Sequence, residues 1–231
     1  MTKGKLYGVG IGPGDKELIT LKAVRILKSA DIIALPDSAS STNRAYEIIK
    51  EHIKEKEIIY CPMPMVKDKD VLKEYHNNSA LEIQKYLDMG KTVAFATLGD
   101  PSIYSTYMYI HRIIEKNGYT VEMVAGVTSF CASAARLNMS IADGGEPVII
   151  IPASYEHNKE LLKIKGSKIL MKSGKGLSRV KEEINELGLE DITYMVENCG
   201  MSEEKVYYNF KDVPDKSSYF SLIIVKDNME E

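Results

Sequence analysis

Three glycine-bearing turns hold the residues whose types and spacing could do chemistry. The first is Gly8-x-Gly10-x-Gly12-Pro13-Gly14-Asp15, running into the stretch VGIGPGDKELITLKA at residues 9–23. Glycine lets another backbone or a ligand come close, and the start of a following helix offers free amides. Two readings are open: a cofactor lies against the main chain, or a buried strand and helix pack closely there. The pattern is not the dinucleotide fingerprint, which wants G-x-G-x-x-G and an acid ending the second strand. Here that strand ends Ala34-Leu35-Pro36, with Asp37 beyond the proline. Nor does a Gly-Lys-Ser/Thr close a phosphate loop. The second turn is TLGDPSIYSTY, Thr97–Tyr107. Gly99 frees the backbone and Asp100 presents a carboxylate where open α/β sheets bind ligands. Asp100 either receives a cationic or hydroxyl-bearing ligand or caps a helix whose first residue is Pro101. The third is AGVTSFCASAARL, Ala125–Leu137. Thr128 and Ser129 offer hydroxyls and free amides at a helix start. The small residues after them admit either another helix or a flat ligand.

Other chemistries find little support. His52, His76, His111 and His157 share no metal-ligand spacing, and no Ser-His-Asp or Cys-His order is legible. Cys61, Cys131 and Cys199 are odd in number and widely spaced, which suggests neither disulfides nor zinc but a reducing cytoplasm. A net charge of −3 argues against a nucleic-acid-binding surface. No leader and no run of about 18 apolar residues is legible, so a soluble protein without a membrane partner is expected.

The elements that must position these turns alternate. Lys5–Ile11 reads as a strand. Asp15 then starts a helix with Leu18, Leu21, Val24 and Leu27 on one stripe and Ile19, Ala23, Ile26 and Ala30 on another, a helix covered on both sides. Strands follow at Asp31–Leu35, Glu57–Tyr60, Thr92–Thr97 and Thr120–Val124. Helices are expected at Asn43–Ile53, Lys69–Met89, Ile103–Lys116 and Thr128–Leu137. Beyond them come strands Val148–Ile151, Lys168–Met171 and Ile192–Glu197, with helices Asn158–Ile164 and Leu177–Leu187. This is the pattern of parallel α/β sheets. A boundary near Gly118 divides the chain into 1–118 and 119–231. Lys205–Phe210 and Tyr219–Val225 lack a helix between them and are expected to pair antiparallel at a sheet edge.

Taken together, the first two turns, about 90 residues apart, and AGVTSF resemble the tetrapyrrole methylase family along nearly the whole chain. Within it, TLGDPSIYSTYMYI and the stretch 121–153 are most similar to the branch that methylates C-20 of precorrin-2 or of its cobalt complex. The resemblance implies two αβα domains with the active site in the cleft between them, a folded S-adenosylmethionine and a homodimer. By the family pattern, Pro13 lines the cleft. Leu98, Gly99, Asp100, Ile103, Thr128 and Ser129 contact the donor, with further contacts near Met171 and Lys172 and near Cys199. The base that takes the C-20 proton is not legible; Asp37, Tyr104 and Glu197 are candidates because each sits near a strand end. A substrate rich in carboxylates calls for cations at the rim, for which Arg44, Lys67, Lys172 and Lys175 are candidates. No metal site of the protein's own is expected, since cobalt would arrive inside the substrate. Lysine outnumbers arginine 25 to 5, the mark of an AT-rich genome, and this inclines the reading toward the anaerobic, cobalt-bound substrate. A sister methylase acting at another ring position, an RNA or protein methylase of the same fold, and a non-catalytic module for a flat anion are the alternatives.

Overall fold

The computed structural model describes residues 3–37, 43–64, 66, 68–153 and 158–227. His157 and Lys67 lie outside the described residues, as does the side chain of Lys175. Two compact units emerge, Met1–Thr128 and Ser129–Glu231. The division falls ten residues past the expected one because the strand Thr120–Val124 pairs with the first strand of the chain.

The first unit holds β1 (Lys5–Gly10), β2 (Ile32–Asp37), β3 (Glu57–Pro62), β4 (Val93–Thr97) and β5 (Thr120–Val124) in one sheet of order β3-β2-β4-β1-β5. All its pairings are parallel. Every residue of β4 is buried, as a central parallel strand covered on both faces requires. α1 (Leu21–Ser29) and α2 (Arg44–Ile49) cover one face with Ala23, Ile26, Leu27, Ala45, Ile48 and Ile49. α3 (Lys69–Asp88) and α4 (Tyr107–Lys116) cover the other with Ala80, Ile83, Leu87, Tyr107, Ile110 and Ile114.

Two expectations fail here. The helix after the glycine turn does not start at Asp15. Asp15 caps a single 3-10 turn, Lys16–Leu18, through the Glu17 N–H, and α1 begins only after Thr20, whose Oγ accepts from Ala23 N–H. Nor is α1 covered on both sides: Leu21 is 90% exposed, and the buried stripe is Ala23, Ile26 and Leu27.

The second unit holds α5 (Ser129–Leu137), β6 (Val148–Pro152), α6 (Asn158–Leu162), β7 (Ser167–Met171), α7 (Leu177–Glu186), β8 (Thr193–Glu197), β9 (Lys205–Tyr207) and β10 (Ser221–Val225). Its sheet order is β6-β7-β10-β8-β9. The tail does not form the expected edge hairpin. β10 lies inside the sheet, antiparallel to both β7 and β8, while β9 pairs with β8. The five residues SLIIV are all buried, and so apolar a strand belongs where both faces are covered. Among the described residues no helix is long and apolar enough to cross a membrane.

Candidate functional site

β1 and β4 are neighbours, but their connections leave in opposite directions. The chain passes from β1 over one face to β2, and from β4 over the other face to β5. This is a topological switch point, where a crevice opens beyond the carboxyl ends of the strands. The glycine turn and the Gly99–Asp100 turn both lie there. Gly12 N–H donates to Gly99 O at 3.4 Å and Gly99 N–H donates to Gly12 O at 2.8 Å. The turn after β5 packs into the same knot. A Cβ on Gly126 would sit 2.2 Å from Gly99 O and 2.8 Å from Gly10 Cα; one on Gly10 would sit 2.6 Å from Gly126 N. One on Gly8 would stand 2.0 Å from Cε1 of the Tyr107 ring. Backbone and ring packing therefore explain Gly8, Gly10 and Gly126, the second of the two readings of the glycine turn. Gly99 differs. Its φ is +67° and nothing lies within 4 Å of where a Cβ would be, so its bare Cα borders open space at the switch point.

Asp100 is not the cap of α4. That helix begins seven residues later, and residues 101–104 form turns and bends. Instead Oδ1 of Asp100 accepts from Ser102 N–H at 2.8 Å and from Ser102 Oγ at 2.5 Å, and Oδ2 accepts from Gly126 N–H at 2.9 Å. Burial resists its ionisation, but the donors on Ser102 and Gly126 prevail and hold its pKa below the ordinary value. The loop is anchored at its far end as well. Ser105 Oγ lies 3.0 Å from Thr97 Oγ1 and accepts from Tyr107 N–H, and the buried Tyr107 hydroxyl bonds His111 Nδ1 at 3.0 Å. On this loop Leu98 and Ile103 are half-buried, and Tyr104 is exposed with φ +47°. Pro13 is buried beside Gly12, and Thr128 is half-buried. Asp37 is exposed at the end of β2, where its carbonyl accepts from Met63 N–H, and Arg44 opens α2, half-buried. Among the described residues no group of three or more His, Cys, Asp or Glu is arranged to hold a metal.

In the second unit, the ends of β7 and β8 carry the remaining expected residues. Met171 closes β7, half-buried, and Lys172 follows with φ +59°. Burial lowers the Lys172 pKa, and its Nζ stands 6.0 Å from the centre of the Tyr219 ring. Asn198 leaves β8 with φ +52°, and its Oδ1 accepts from Ser218 Oγ at 2.8 Å. Glu197 is buried with Oε1 accepting from Ser218 N–H at 2.5 Å, so it braces the turn ahead of β10. Cys199 is half-buried and burial raises its thiol pKa. Ser129 is the half-buried first residue of α5. Two participants were not singled out in the sequence. Gly126 donates to the Asp100 carboxylate; it stands in the third turn, AGVTSF, at a strand end, but nothing there points to this partner. Ser218 braces both Glu197 and Asn198, and a serine in a polar loop gives no signal at all.

The sequence model of the tetrapyrrole (corrin/porphyrin) methylases matches residues 5–213. The chain is 36% identical to a probable cobalt-precorrin-2 C(20)-methyltransferase of Methanocaldococcus jannaschii, over 96% of both chains. It is 31% identical to a cobalt-precorrin-2 C(20)-methyltransferase of Salmonella typhimurium, over 98% of both. Among solved structures, a cobalt precorrin-4 methyltransferase superposes with a TM-score of 0.75 at 23% identity, covering 96% of this chain and 94% of that one. A uroporphyrin-III C-methyltransferase of Thermus thermophilus, complexed with S-adenyl homocysteine, gives 0.70 at 21% identity over 96% of both.

Proposed function

The chain belongs to the tetrapyrrole (corrin/porphyrin) methylases, and from that premise we propose that it methylates C-20 of cobalt-precorrin-2, with S-adenosylmethionine as donor, in cobalamin biosynthesis. The observation that carries this reading is the 36% identity, spread over 96% of both chains, to a relative named for that carbon. The expectations of a homodimer and a cytoplasmic setting belong to the same proposal.

The residues at the switch point fit the donor. Gly99 offers a bare Cα facing open space, so a flat ligand can lie against the main chain there while its N–H and carbonyl stay bridged to Gly12. Thr128 is assigned to contribute a hydroxyl and the half-buried Leu98 and Ile103 apolar surface, with the buried Pro13 assigned to the cleft wall. In the second unit Ser129, Met171, Lys172 and Cys199 are assigned to the donor as well. When bound, the donor supplies an activated sulfonium methyl. The meso carbon of the substrate is already electron-rich, so the protein need not build a strong nucleophile. Its task is alignment, which contributes about 7–11 kcal/mol in favourable cases. A base that takes the C-20 proton adds about 10²–10⁴-fold. Asp37 and Tyr104 are assigned that role, since Glu197 is committed to Ser218. Arg44 and Lys172 are assigned to the substrate carboxylates.

Incubation with precorrin-2, or with its cobalt complex, and methyl-labelled donor tests the proposal by NMR of the product. Label at C-20, formed faster from the cobalt complex, is expected. Label at any other ring carbon overturns the assignment.

A further inference from the structure

The carboxylate of Asp100 sits among the residues assigned to the donor, yet its hydrogen bonds run inward. Three donors already occupy its two oxygens: the N–H and hydroxyl of Ser102, and the N–H of Gly126. A carboxylate has about four lone-pair directions, so one at most is left for a ligand. The bond to Gly126 crosses 26 residues of sequence and joins the turn after β4 to the turn after β5. Another side-chain bond to that second turn runs from Thr20 Oγ1 to Ala125 O, at 3.4 Å. The Gly12–Gly99 bridge fixes the glycine turn to the Gly99 turn, but it does not reach the Gly126 N–H. That N–H sits in a backbone contact too close for any side chain.

We propose that Asp100 is a positioning residue that clamps the Gly126 turn against the Gly99 turn, so that the open face of Gly99 and the hydroxyl of Thr128 are held in one fixed arrangement. The inference rests on the donor site assigned above for its effect on binding, but the clamp itself is a property of the ligand-free chain. Asp100→Asn separates the possibilities. Its size is kept, but only one oxygen remains; Ser102 brings two donors to one oxygen and Gly126 a single one, so the amide nitrogen, which cannot accept from an N–H, turns to Gly126 and that contact is lost. Ser102→Ala removes one of the three donors and leaves the clamp intact.

Two measurements on the full-length chain decide it. The first is hydrogen exchange at the Gly126 amide without ligand. The second is calorimetric titration with S-adenosylhomocysteine. Asp100→Asn is expected to speed exchange at Gly126 and to weaken binding, each about tenfold or more, the scale of one lost hydrogen bond to a charged group. Ser102→Ala loses a bond to the same carboxylate but not the one to Gly126, so it should change both by less than about threefold, below the scale of the clamping bond. Asp100→Glu, which keeps the acceptors, should restore part of the protection, and it is the readout if the asparagine variant does not fold. Weaker binding with unchanged Gly126 exchange would mean that Asp100 touches the donor directly, overturning the clamp. Faster exchange with unchanged affinity would reduce the clamp to a structural brace, which also overturns the proposal. If the unaltered chain ignored S-adenosylhomocysteine, the donor assignment would fall, and positioning with it, while the exchange arm would still report whether the clamp exists.

Discussion

At the carboxyl edge of the first sheet the chain leaves β1 and β4 through Gly12, with φ +80°, and Gly99, with φ +67°. At the carboxyl ends of β7 and β8 in the second sheet it leaves through Lys172, with φ +59°, and Asn198, with φ +52°. The backbone demand is the same, a left-handed residue directly after or close behind the strand, and the solutions differ. Glycine adopts it freely, while other residues accept about 1–2 kcal/mol of strain. In the first unit the turns are knotted backbone to backbone, and a side chain would collide at Gly10 and Gly126 though not at Gly99. In the second, the side chains are retained despite the strain. Asparagine tolerates that region and earns its place by receiving Ser218. Lys172 keeps its side chain in the same region, and strain of this kind clusters where a side chain is needed for function. The first edge is thus built to present main chain, the second to present side chains.

The largest effect that would break this contrast is at Gly126. An added Cβ would meet Gly99 O at 2.2 Å and Gly10 backbone at 2.8 Å, with no flexible side chain to yield. Gly126→Ala is expected to destabilise by about 3 kcal/mol. For a chain of this size that corresponds to a fall of about 6–12 °C in Tm. Gly99→Ala meets no neighbour within 4 Å and carries only the strain of φ +67°, about 1–2 kcal/mol. Thermal unfolding should rank Gly126→Ala well below Gly99→Ala, while calorimetry should show that Gly99→Ala loses most of its affinity for S-adenosylhomocysteine. If Gly99→Ala bound normally, the open space beside it would not be the ligand's.

At the second edge the expected effect on stability is smaller. Lys172→Gly relieves about 1–2 kcal/mol of strain and loosens the unfolded chain by about 0.4–1 kcal/mol. Denaturant unfolding should therefore find the variant as stable as the unaltered chain or up to about 1.6 kcal/mol more stable, by the difference of those two terms. Turnover, by contrast, should fall steeply. A variant equally stable and fully active would leave the strained lysine without a purpose and dissolve the contrast between the edges.

Much of this was legible in the sequence. The strand-helix alternation in the first unit is written in buried runs such as VAFAT and in C-terminal glycines such as Gly90 and Gly118, whose φ values are +77° and +78°. The three turns were legible because glycines stand at strand ends, with a carboxylate among them at Asp100, but the pattern left packing and ligand binding both open. What escaped was the pairing of distant groups. Periodicity marks Ser221–Val225 as a strand but cannot say that it slides between β7 and β8, because an apolar run of five reads alike in any buried place. Asp100 before a proline has the local form of a helix cap, and only the fold reveals that Gly126, 26 residues on, is its partner. Glu197 reads as a carboxylate at a strand end; its commitment to Ser218 is a contact across a loop that carries no pattern.

The smallest effect separates the two edges by pH. Asp100 is held below its ordinary pKa of 3.8, with burial opposing and the Ser102 and Gly126 donors prevailing. Its contribution is therefore complete above 3.8 and is lost as pH falls through the lower, folded value. Lys172 is displaced by burial below its ordinary 10.5. Between its folded value and 10.5 the unfolded chain binds more protons than the folded one, so stability rises with pH across that window. The penalty of the buried ammonium is fully present below the folded value and gone above 10.5. Denaturant unfolding across pH should then show Lys172→Met gaining on the unaltered chain at neutral pH, with the gap closing in alkali. Asp100→Asn should lose at neutral pH, with its gap closing in acid. Two gaps that closed at the same end of the pH range would mean that one edge had been assigned the wrong kind of group.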